Sequence, residues 1–281
     1  MRIVVTRDLD QFADRVEAFL AEELERNVLA TVLMNARAGA FAGGGPPATA
    51  AYALDGHDRI CAAALRTPPW PLLTTGFDTP EVAVELAGAW LEVDPCVDMV
   101  NGPPRSARAI ADALATRSGR RAQLRMSEAM HVLEKVSALP YEASGHLRAA
   151  EEIERALLIE WERAFIAEAR LGDGDRAEGV IDRRLVAGSQ YLWDDGGPVS
   201  TACAHVAVAG TVRIGPVYTP PEKRGRGYAT CAVAALSERV LAGGAERCML
   251  FTDLANPTSN KIYALVGYRR IGDWEEHELT R

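Results

Sequence analysis

The 281-residue chain carries 39 acidic and 31 basic residues, a net charge of −8, and 48 % of its residues are hydrophobic. This length suggests two domains or one large one, and the ordinary hydrophobic content argues against a disordered, collagen-like or disulfide-scaffold protein. Asp8 and Asp10 interrupt the start of the chain where a secretory signal would stay apolar. The sequence also lacks an uncharged apolar stretch long enough to predict a membrane span. We expect a cytoplasmic protein that does not bind membranes.

The first half is predicted to begin with a helix over residues 8–38, because Phe12, Val16, Phe19 and Leu20 recur at helical spacing. Thr79 is a candidate N-cap and Pro80 fits the first position of a later helix. The remaining elements predicted in this half are strands at Ala48–Leu54, Ile60–Leu65 and Val97–Val100, a helix at Ser106–Thr116, and a strand-like run from Ala122 to Val136.

The second half repeats this order of elements. Its predicted helices are Ala149–Ala169, Gly179–Ala187, Gly227–Leu241 and Ser259–Leu265, and its predicted strands are Gln190–Trp193, Val199–Val208, Val212–Tyr218, Cys248–Thr252 and Tyr268–Trp274. An internal duplication explains the repetition. We therefore predict two domains, residues 1–140 and 141–281, with a linker near residues 138–147.

The even charge of the two halves argues against nucleic acid as a partner, because neither half is a basic domain. The five cysteines lack any CxxC pair or nearby histidine at zinc spacing. Buried free thiols are expected, and no metal.

A glycine-rich turn between a strand and an alanine-rich helix is the first functional signal. Glycine permits a tight turn and close approach to a ligand, and the first-turn N–H groups of the helix suit a pyrophosphate. Arg224 and Arg226 are placed to add charge-assisted contacts. The Walker and G-x-G-x-x-G patterns are absent. Taken alone, a basic solvated turn explains the segment equally well.

A second signal follows about thirty residues later. Asn256 ends a strand and is predicted to face a ligand in a gap between strands, while Ser259 or Asn260 begins the next helix. Tyr263 falls one turn inside that helix, where it can donate a proton to a developing thiolate. The alternative is that Tyr263 and Tyr268 are packing aromatics.

Together the two segments resemble the GNAT superfamily of acyl-CoA-dependent N-acyltransferases. The run Arg224-Gly-Arg-Gly227-Tyr-Ala229 matches its [Q/R]-x-x-G-x-[G/A] loop, and Asn256 to Tyr268 looks like its N-x-x-S-x-x-x-Y-x-x-x-G-[F/Y] block. The resemblance covers about residues 148–281 and is closest to the branch of glycine N-acyltransferase-like proteins. It implies an α+β fold of two tandem GNAT-like domains, each a mixed, mostly antiparallel sheet flanked by helices.

The resemblance also implies roles for individual residues. Backbone groups of Val217, Tyr218 and Thr219 would pair with the pantetheine arm. Asn256 and Asn260 would hydrogen-bond the pantetheine or its thioester end. Tyr263 would be the general acid, and with Asn256 it would form the catalytic pair. The pyrophosphate would be held by the loop and the start of the helix: Arg224, Gly225, Arg226, Gly227, Tyr228, Ala229 and Thr230. The implied cosubstrate is acetyl-CoA, without a metal, and the acceptor is a small-molecule or peptide amine.

The first half keeps the order of elements but not the loop. Asp78 and Glu81 would repel a phosphate, and Asn101 takes the position of Asn256 while Arg108 replaces the tyrosine. We interpret this half as a degenerate, non-catalytic GNAT-like domain; an unrelated α+β domain is the alternative.

Several other residues are discounted. Trp161, Phe165 and Trp193 could line an acceptor pocket, but core packing is the better interpretation of their pattern. His205 is a candidate base that a packed position also explains. The sequence thus predicts an N-acyltransferase, as a monomer or homodimer. The alternatives are a non-catalytic acyl-CoA-binding module and, less favoured, a nucleotide-binding protein.

Overall fold

A computed structural model describes residues 1–39, 46–171 and 174–281. The chain forms two compact units: unit 1 is Met1–Ala129, Asp253–Ala255 and Gly272–Arg281, and unit 2 is Met130–Thr252 and Asn256–Ile271. The boundary predicted between residues 140 and 141 differs from this division. Unit 2 begins at Met130, and the strand at the end of the sequence contributes to unit 1.

The same order of ten elements occurs twice. The first set is β1 (Arg2–Thr6), α1 (Leu9–Ala21), α2 (Asn27–Arg37), β2 (Thr49–Leu54), β3 (Ile60–Arg66), β4 (Leu72–Thr74), α3 (Pro80–Val93), β5 (Met99–Gly102), α4 (Pro104–Ser118) and β6 (Arg121–Leu133). The second set is β7 (His146–Ala149), α5 (Arg155–Glu168), α6 (Ala177–Val186), β8 (Gln190–Asp194), β9 (Pro198–Ala204), β10 (Thr211–Tyr218), α7 (Tyr228–Ala242), β11 (Arg247–Asp253), α8 (Pro257–Val266) and β12 (Arg269–Thr280). The predicted repetition is confirmed, although sequence reasoning missed β1, β4 and β7.

The single helix predicted over residues 8–38 is wrong, because two helices occupy this stretch. Glu23 adopts an extended backbone, and a short 3-10 turn at Leu24–Arg26 separates α1 from α2. The guanidinium of Arg26 donates to the Phe19 carbonyl oxygen at 2.7 Å, and it also pairs with Glu22. The side chain thus satisfies a carbonyl that a continuing helix would have bonded.

Unit 1 is built on a mixed sheet in the order β1-β2-β3-β4-β5, followed by β12. Only β4 and β5 pair in parallel among these strands. Helices α3 and α4 cover one face with a fully buried core that includes Trp90, Leu86, Ile110 and Leu114. The burial of these side chains is the main stabilising contribution to the unit.

The last part of β12 completes the sheet of unit 1. The strand runs to Thr280, past the end predicted at Trp274, and pairs antiparallel with β5 from Glu275↔Gly102 to Glu278↔Met99. Leu279 joins the core beneath α3 and α4. Asn101 bonds the side chains of Trp274 and Glu276. It therefore braces the sheet and does not face a ligand.

Unit 2 has the strand order β7-β8-β9-β10-β11. Helices α7 and α8 contribute Val233, Leu236 and Val266 to its core, which also holds Leu133 from the end of β6. The predicted α+β class, with mixed and mostly antiparallel sheets flanked by helices, is confirmed. Within the described residues, no helix combines the length and the apolar character that crossing a membrane requires.

Candidate functional site

Strands β10 and β11 separate part-way along their length. Their parallel pairing covers three residue pairs, from Thr211↔Arg247 to Arg213↔Met249. Beyond Arg213, β10 continues beside β9 after a register shift between Ile214 and Val217. The edge of β10 that would face β11 therefore presents backbone N–H and C=O groups that no other strand of the described residues pairs.

The bulge in β10 is braced from β9. Gly215 has a φ of +124°, and the Nε2 atom of His205 lies 2.8 Å from its carbonyl oxygen. Burial and the nearby Arg213 lower the pKa of His205 to about 3. The imidazole is therefore neutral at physiological pH and far too weak a base to accept the proton of an amine. The packed interpretation of His205 is the one that fits.

The glycine-rich loop leads directly into α7. Gly225 and Gly227 have φ values of +78° and +83°, which favour glycine. Gly227 is the N-cap and offers no side chain, and the first bond of the helix runs from the Cys231 N–H to the Gly227 carbonyl. The N–H groups of the first turn therefore lie at the positive end of the helix dipole. This arrangement suits an anionic group.

The two loop arginines have different roles. Arg224 donates from Nη2 to both Glu168 carboxylate oxygens at 2.9 and 2.7 Å, and from Nε to the Thr219 carbonyl oxygen. Its charge is thus largely matched within unit 2, against the expectation of a phosphate contact. Arg226 is exposed. It is the loop cation that remains accessible to an anion.

The side chains of Tyr218 and Tyr228 both have protein partners: the Tyr218 hydroxyl donates to Glu168 at 3.3 Å, and the Arg224 guanidinium lies 5.7 Å from the Tyr218 ring centroid. Tyr218 is buried against Trp161, with ring centroids 6.3 Å apart. Tyr228 donates from its hydroxyl to Asp195 at 2.5 Å, a bond that lowers the pKa of that carboxyl. Both tyrosines can therefore offer only backbone groups to a ligand.

Asn256 and Asn260 organise the turn between β11 and α8. Asn256 is the N-cap of α8, and its Oδ1 accepts from the Ser259 N–H at 3.1 Å. Asn260 accepts from the Thr252 hydroxyl at 2.6 Å and donates to the Asn256 carbonyl oxygen at 3.0 Å. The predicted ligand-facing asparagines are thus fixed in place by local bonds. Asn101 in unit 1 is not equivalent, because it precedes the N-cap of α4, Pro103.

Tyr263 lies in the core of unit 2 and is 9 % exposed. Its ring meets the edge of Tyr268, with centroids 5.9 Å apart. The two hydroxyls differ: Tyr268 shares a 2.9 Å bond with Ser237, whereas the Tyr263 hydroxyl has no hydrogen-bond partner in the described chain. Burial raises the pKa of Tyr263 to about 12. The phenol therefore keeps its proton at neutral pH.

The aromatic residues suggested for an acceptor pocket are core residues. Trp161 and Trp193 are 7 % and 8 % exposed, and Phe165 packs against the cluster around Trp161. The core interpretation of this pattern is therefore supported. Among the described residues, no group of three or more His, Cys, Asp or Glu side chains is arranged to hold a metal ion.

In unit 1, strands β4 and β5 take the places that β10 and β11 have in unit 2, and their ends lie close together. Strands β4 and β5 pair at Leu73↔Asn101, and the next residues remain in contact. A Cβ on Gly102 would lie 2.6 Å from Thr74 Cγ2 and 2.8 Å from the Thr74 carbonyl oxygen. Strands β4 and β5 thus remain in contact at Thr74 and Gly102, the last residue of each strand.

Sequence reasoning missed two residues beside the loop. Glu168 ends α5 and pairs with Arg224, and no pattern in the sequence joins these two positions. Tyr141, in the segment between β6 and β7, bonds Thr230 at 2.9 Å. The feature of the sequence that could have indicated Tyr141 is an aromatic side chain within the predicted linker.

Solved structures with this arrangement share one fold. The chain aligns over 100 % of both chains with a GNAT-family acetyltransferase from Colwellia psychrerythraea, at a TM-score of 0.64 and 11 % identity. A Drosophila protein aligns over 99 % of this chain and 98 % of its own, at a TM-score of 0.66 and 12 % identity. A tandem GNAT protein from the clavulanic acid biosynthesis pathway aligns over 98 % of both chains, at a TM-score of 0.58 and 14 % identity.

The chain has the GNAT fold. In addition, residues 196–278 match the family model of FR47-like protein, and this stretch contains the separated strands, the glycine-rich loop and α8. No protein among the curated sequences matches the chain. The solved structures align with both units, whereas the family model matches only the part of unit 2 where the candidate site lies.

Proposed function

We propose that unit 2 is an acyl-CoA-dependent N-acyltransferase with acetyl-CoA as donor. One observation carries the proposal: β10 and β11 separate beside the glycine-rich start of α7. Pantetheine contains two amide groups, so its arm can add to the free edge of β10 as a strand would. The pyrophosphate is then bound by the first-turn N–H groups of α7 from Gly225 to Thr230, with Arg226 adding charge.

The proposed reaction is direct attack of an amine on the thioester. The nitrogen of the neutral amine bonds to the carbonyl carbon and loses a proton to water, and the C–S bond breaks. The sulfur takes a proton from an acid of the protein, which regains one from water as the thiol leaves. Tyr263 is the proposed donor, because no group of the described chain bonds its hydroxyl. With a pKa of about 12, it donates a hydrogen bond to the developing thiolate throughout the neutral range. Asn256 and Asn260 hold the turn from which α8 presents it.

We propose that unit 1 has no acyl-CoA site. Its β4 and β5 stay in contact at Thr74 and Gly102, and its α3 begins beside the exposed Asp78 and Glu81. Two carboxylates at a helix start compete with a phosphate for the same positive potential.

Titration calorimetry with CoA is expected to give one bound molecule per chain. Arg226→Glu should weaken this binding at least tenfold, because it replaces an accessible cation at the loop with an anion. Arg121→Glu makes the same charge change at an exposed position of β6 and should leave the affinity unchanged. A stoichiometry of two would contradict the proposed role of unit 1, and equal losses in both variants would contradict the loop assignment.

The acyl-transfer rate is expected to rise with pH between about 6 and 10 as the acceptor amine loses its proton. Tyr263 stays protonated until the pH approaches its pKa of about 12, and His205, with a pKa of about 3, adds no transition in this range. The check is kcat/KM against pH for the unchanged chain. A descending limb near pH 10 that disappears in Tyr263→Phe would show that the acid has an ordinary tyrosine pKa.

Release of free thiol from acetyl-CoA in the presence of a panel of amines tests the activity itself. Amino acids, polyamines and peptide amines are the candidate acceptors. CoA binding without thiol release for any amine would support the second candidate, a non-catalytic acyl-CoA-binding module. The pairing of a phosphate loop with an unbonded tyrosine favours the enzyme, since a pure binder needs no acid.

A further inference from the structure

The segment between β6 and β7 lies against the first turns of α7 within unit 2. The Ala143 N–H donates to Cys231 Sγ at 3.4 Å, and the Ser144 hydroxyl donates to Asp195 at 2.7 Å. The indole of Trp193 donates to the Ser144 carbonyl oxygen at 2.8 Å. These bonds fix the position of the segment beside the loop.

Tyr141 is the residue of this segment that reaches the loop. Its hydroxyl donates to Thr230 Oγ1 at 2.9 Å, and its ring lies where a side chain on Gly227 would be, with Cε2 2.6 Å from the Cβ position. Tyr141 is 40 % exposed, whereas Thr230 is 2 % exposed. Gly227 is thus required twice, for its backbone conformation and for the space that the ring occupies.

The direction of the Thr230 side chain brings the Tyr141 hydroxyl to the start of α7. Thr230 is the third residue of the helix, and helical side chains lean back toward the N-terminus. The Tyr141 and Thr230 hydroxyls therefore lie at the same end as the unbonded N–H groups of the first turn. Either hydroxyl can turn its proton outward by rotation about its C–O bond, with no change in the ring.

We propose that Tyr141 is a further ligand of the acyl-CoA pyrophosphate and sets the affinity for CoA. This inference rests on the proposed function of unit 2. When a phosphate binds, Thr230 donates to the Tyr141 oxygen, and Tyr141 donates to a phosphate oxygen. A hydrogen bond to a charged acceptor is stronger than the neutral bond that it replaces.

Calorimetry with CoA on three forms of the full chain tests this role. Tyr141→Phe keeps the ring over Gly227 and removes only the hydroxyl, and we expect it to weaken CoA binding about tenfold or more. Ser144→Ala is the matched control, because it removes a hydroxyl from the same segment that bonds Asp195 and not the loop. It should bind CoA as tightly as the unchanged chain. Thermal unfolding without CoA should remain a single transition with a slightly lower midpoint for Tyr141→Phe, because the buried Thr230 hydroxyl loses its partner.

Three results would overturn the inference. Equal CoA affinity of Tyr141→Phe and the unchanged chain would make the hydroxyl irrelevant to the ligand. Tighter binding by Tyr141→Phe would mean that the hydroxyl holds Thr230 away from the phosphate. An equal loss in Ser144→Ala would assign the effect to the segment as a whole. Failure of the unchanged chain to bind CoA is a separate result, which would overturn the proposed function and this inference together.

Discussion

Tyr263→Phe is expected to lower the single-turnover rate of acyl transfer about 100-fold, the low end for a positioned acid. Affinity for CoA should not change, because phenylalanine keeps the ring and its contact with Tyr268. Stability should change little, since the substitution removes a hydroxyl that no group of the described chain bonds. Single-turnover kinetics are the right measurement, because slow product release would hide part of the loss in kcat.

Tyr268→Phe is the matched control for this experiment. Tyr268 is equally buried, but its hydroxyl shares a 2.9 Å bond with Ser237. Removing that hydroxyl should cost about 1 kcal/mol of stability and leave the transfer rate near that of the unchanged chain. If Tyr263→Phe keeps the full single-turnover rate, Tyr263 is a packing residue and the proton comes from solvent.

Ending the chain after Ile271 is expected to unfold unit 1 and to spare the strands of unit 2 around β8 and β9. The shortened chain lacks the buried Trp274 and Leu279, and each loss of this kind costs about 2–5 kcal/mol. It also leaves the edge of β5 unpaired and removes the Glu276 partner of Arg125. The combined loss is comparable to the whole stability of a typical domain, about 5–15 kcal/mol.

Hydrogen exchange measures this outcome element by element. The amides of β5 that bond β12 should lose protection, whereas those of the β8–β9 ladder should keep it. Removing Arg281 alone is the control, because this residue is exposed and follows the end of β12. Persistent protection of β5 in the shortened chain would show that unit 1 does not depend on β12.

Local sequence patterns were sufficient to predict most helices and strands, but they did not predict the last part of β12. The run from Glu275 to Glu278 contains only charged or titratable side chains, a composition typical of a solvated loop. It forms a strand because Arg125 pairs with Glu276, and Glu275 bonds the buried His277. The Arg125–Glu276 contact joins positions 151 residues apart, and sequence periodicity carries no information about such a partner.

The candidate site likewise combines features that local sequence predicts with features that it does not. The loop residues were predictable because a glycine-rich turn before a helix is a local pattern, and the structure places Gly225 and Gly227 at positive φ as that pattern requires. The pairing of Arg224 with Glu168 and the bonds of Asn256 and Asn260 depend on tertiary contacts. These contacts hold three of the predicted ligand residues through protein partners that their sequence neighbours do not reveal. Sequence periodicity likewise could not predict the separation of β10 from β11, since both strands contain ordinary apolar residues.

Because the last part of β12 completes the sheet of unit 1, this unit can finish folding only after Gly272–Arg281 have been synthesised. Asn101 meets Glu276 across 175 residues of sequence, and at about 5–20 residues per second this interval lasts on the order of ten seconds or more. Throughout that time, β5 emerges and waits as an open sheet edge, which is a template for pairing with other chains. The nascent protein is therefore most prone to aggregation before Gly272–Arg281 are made, and contacts of this range slow folding as well.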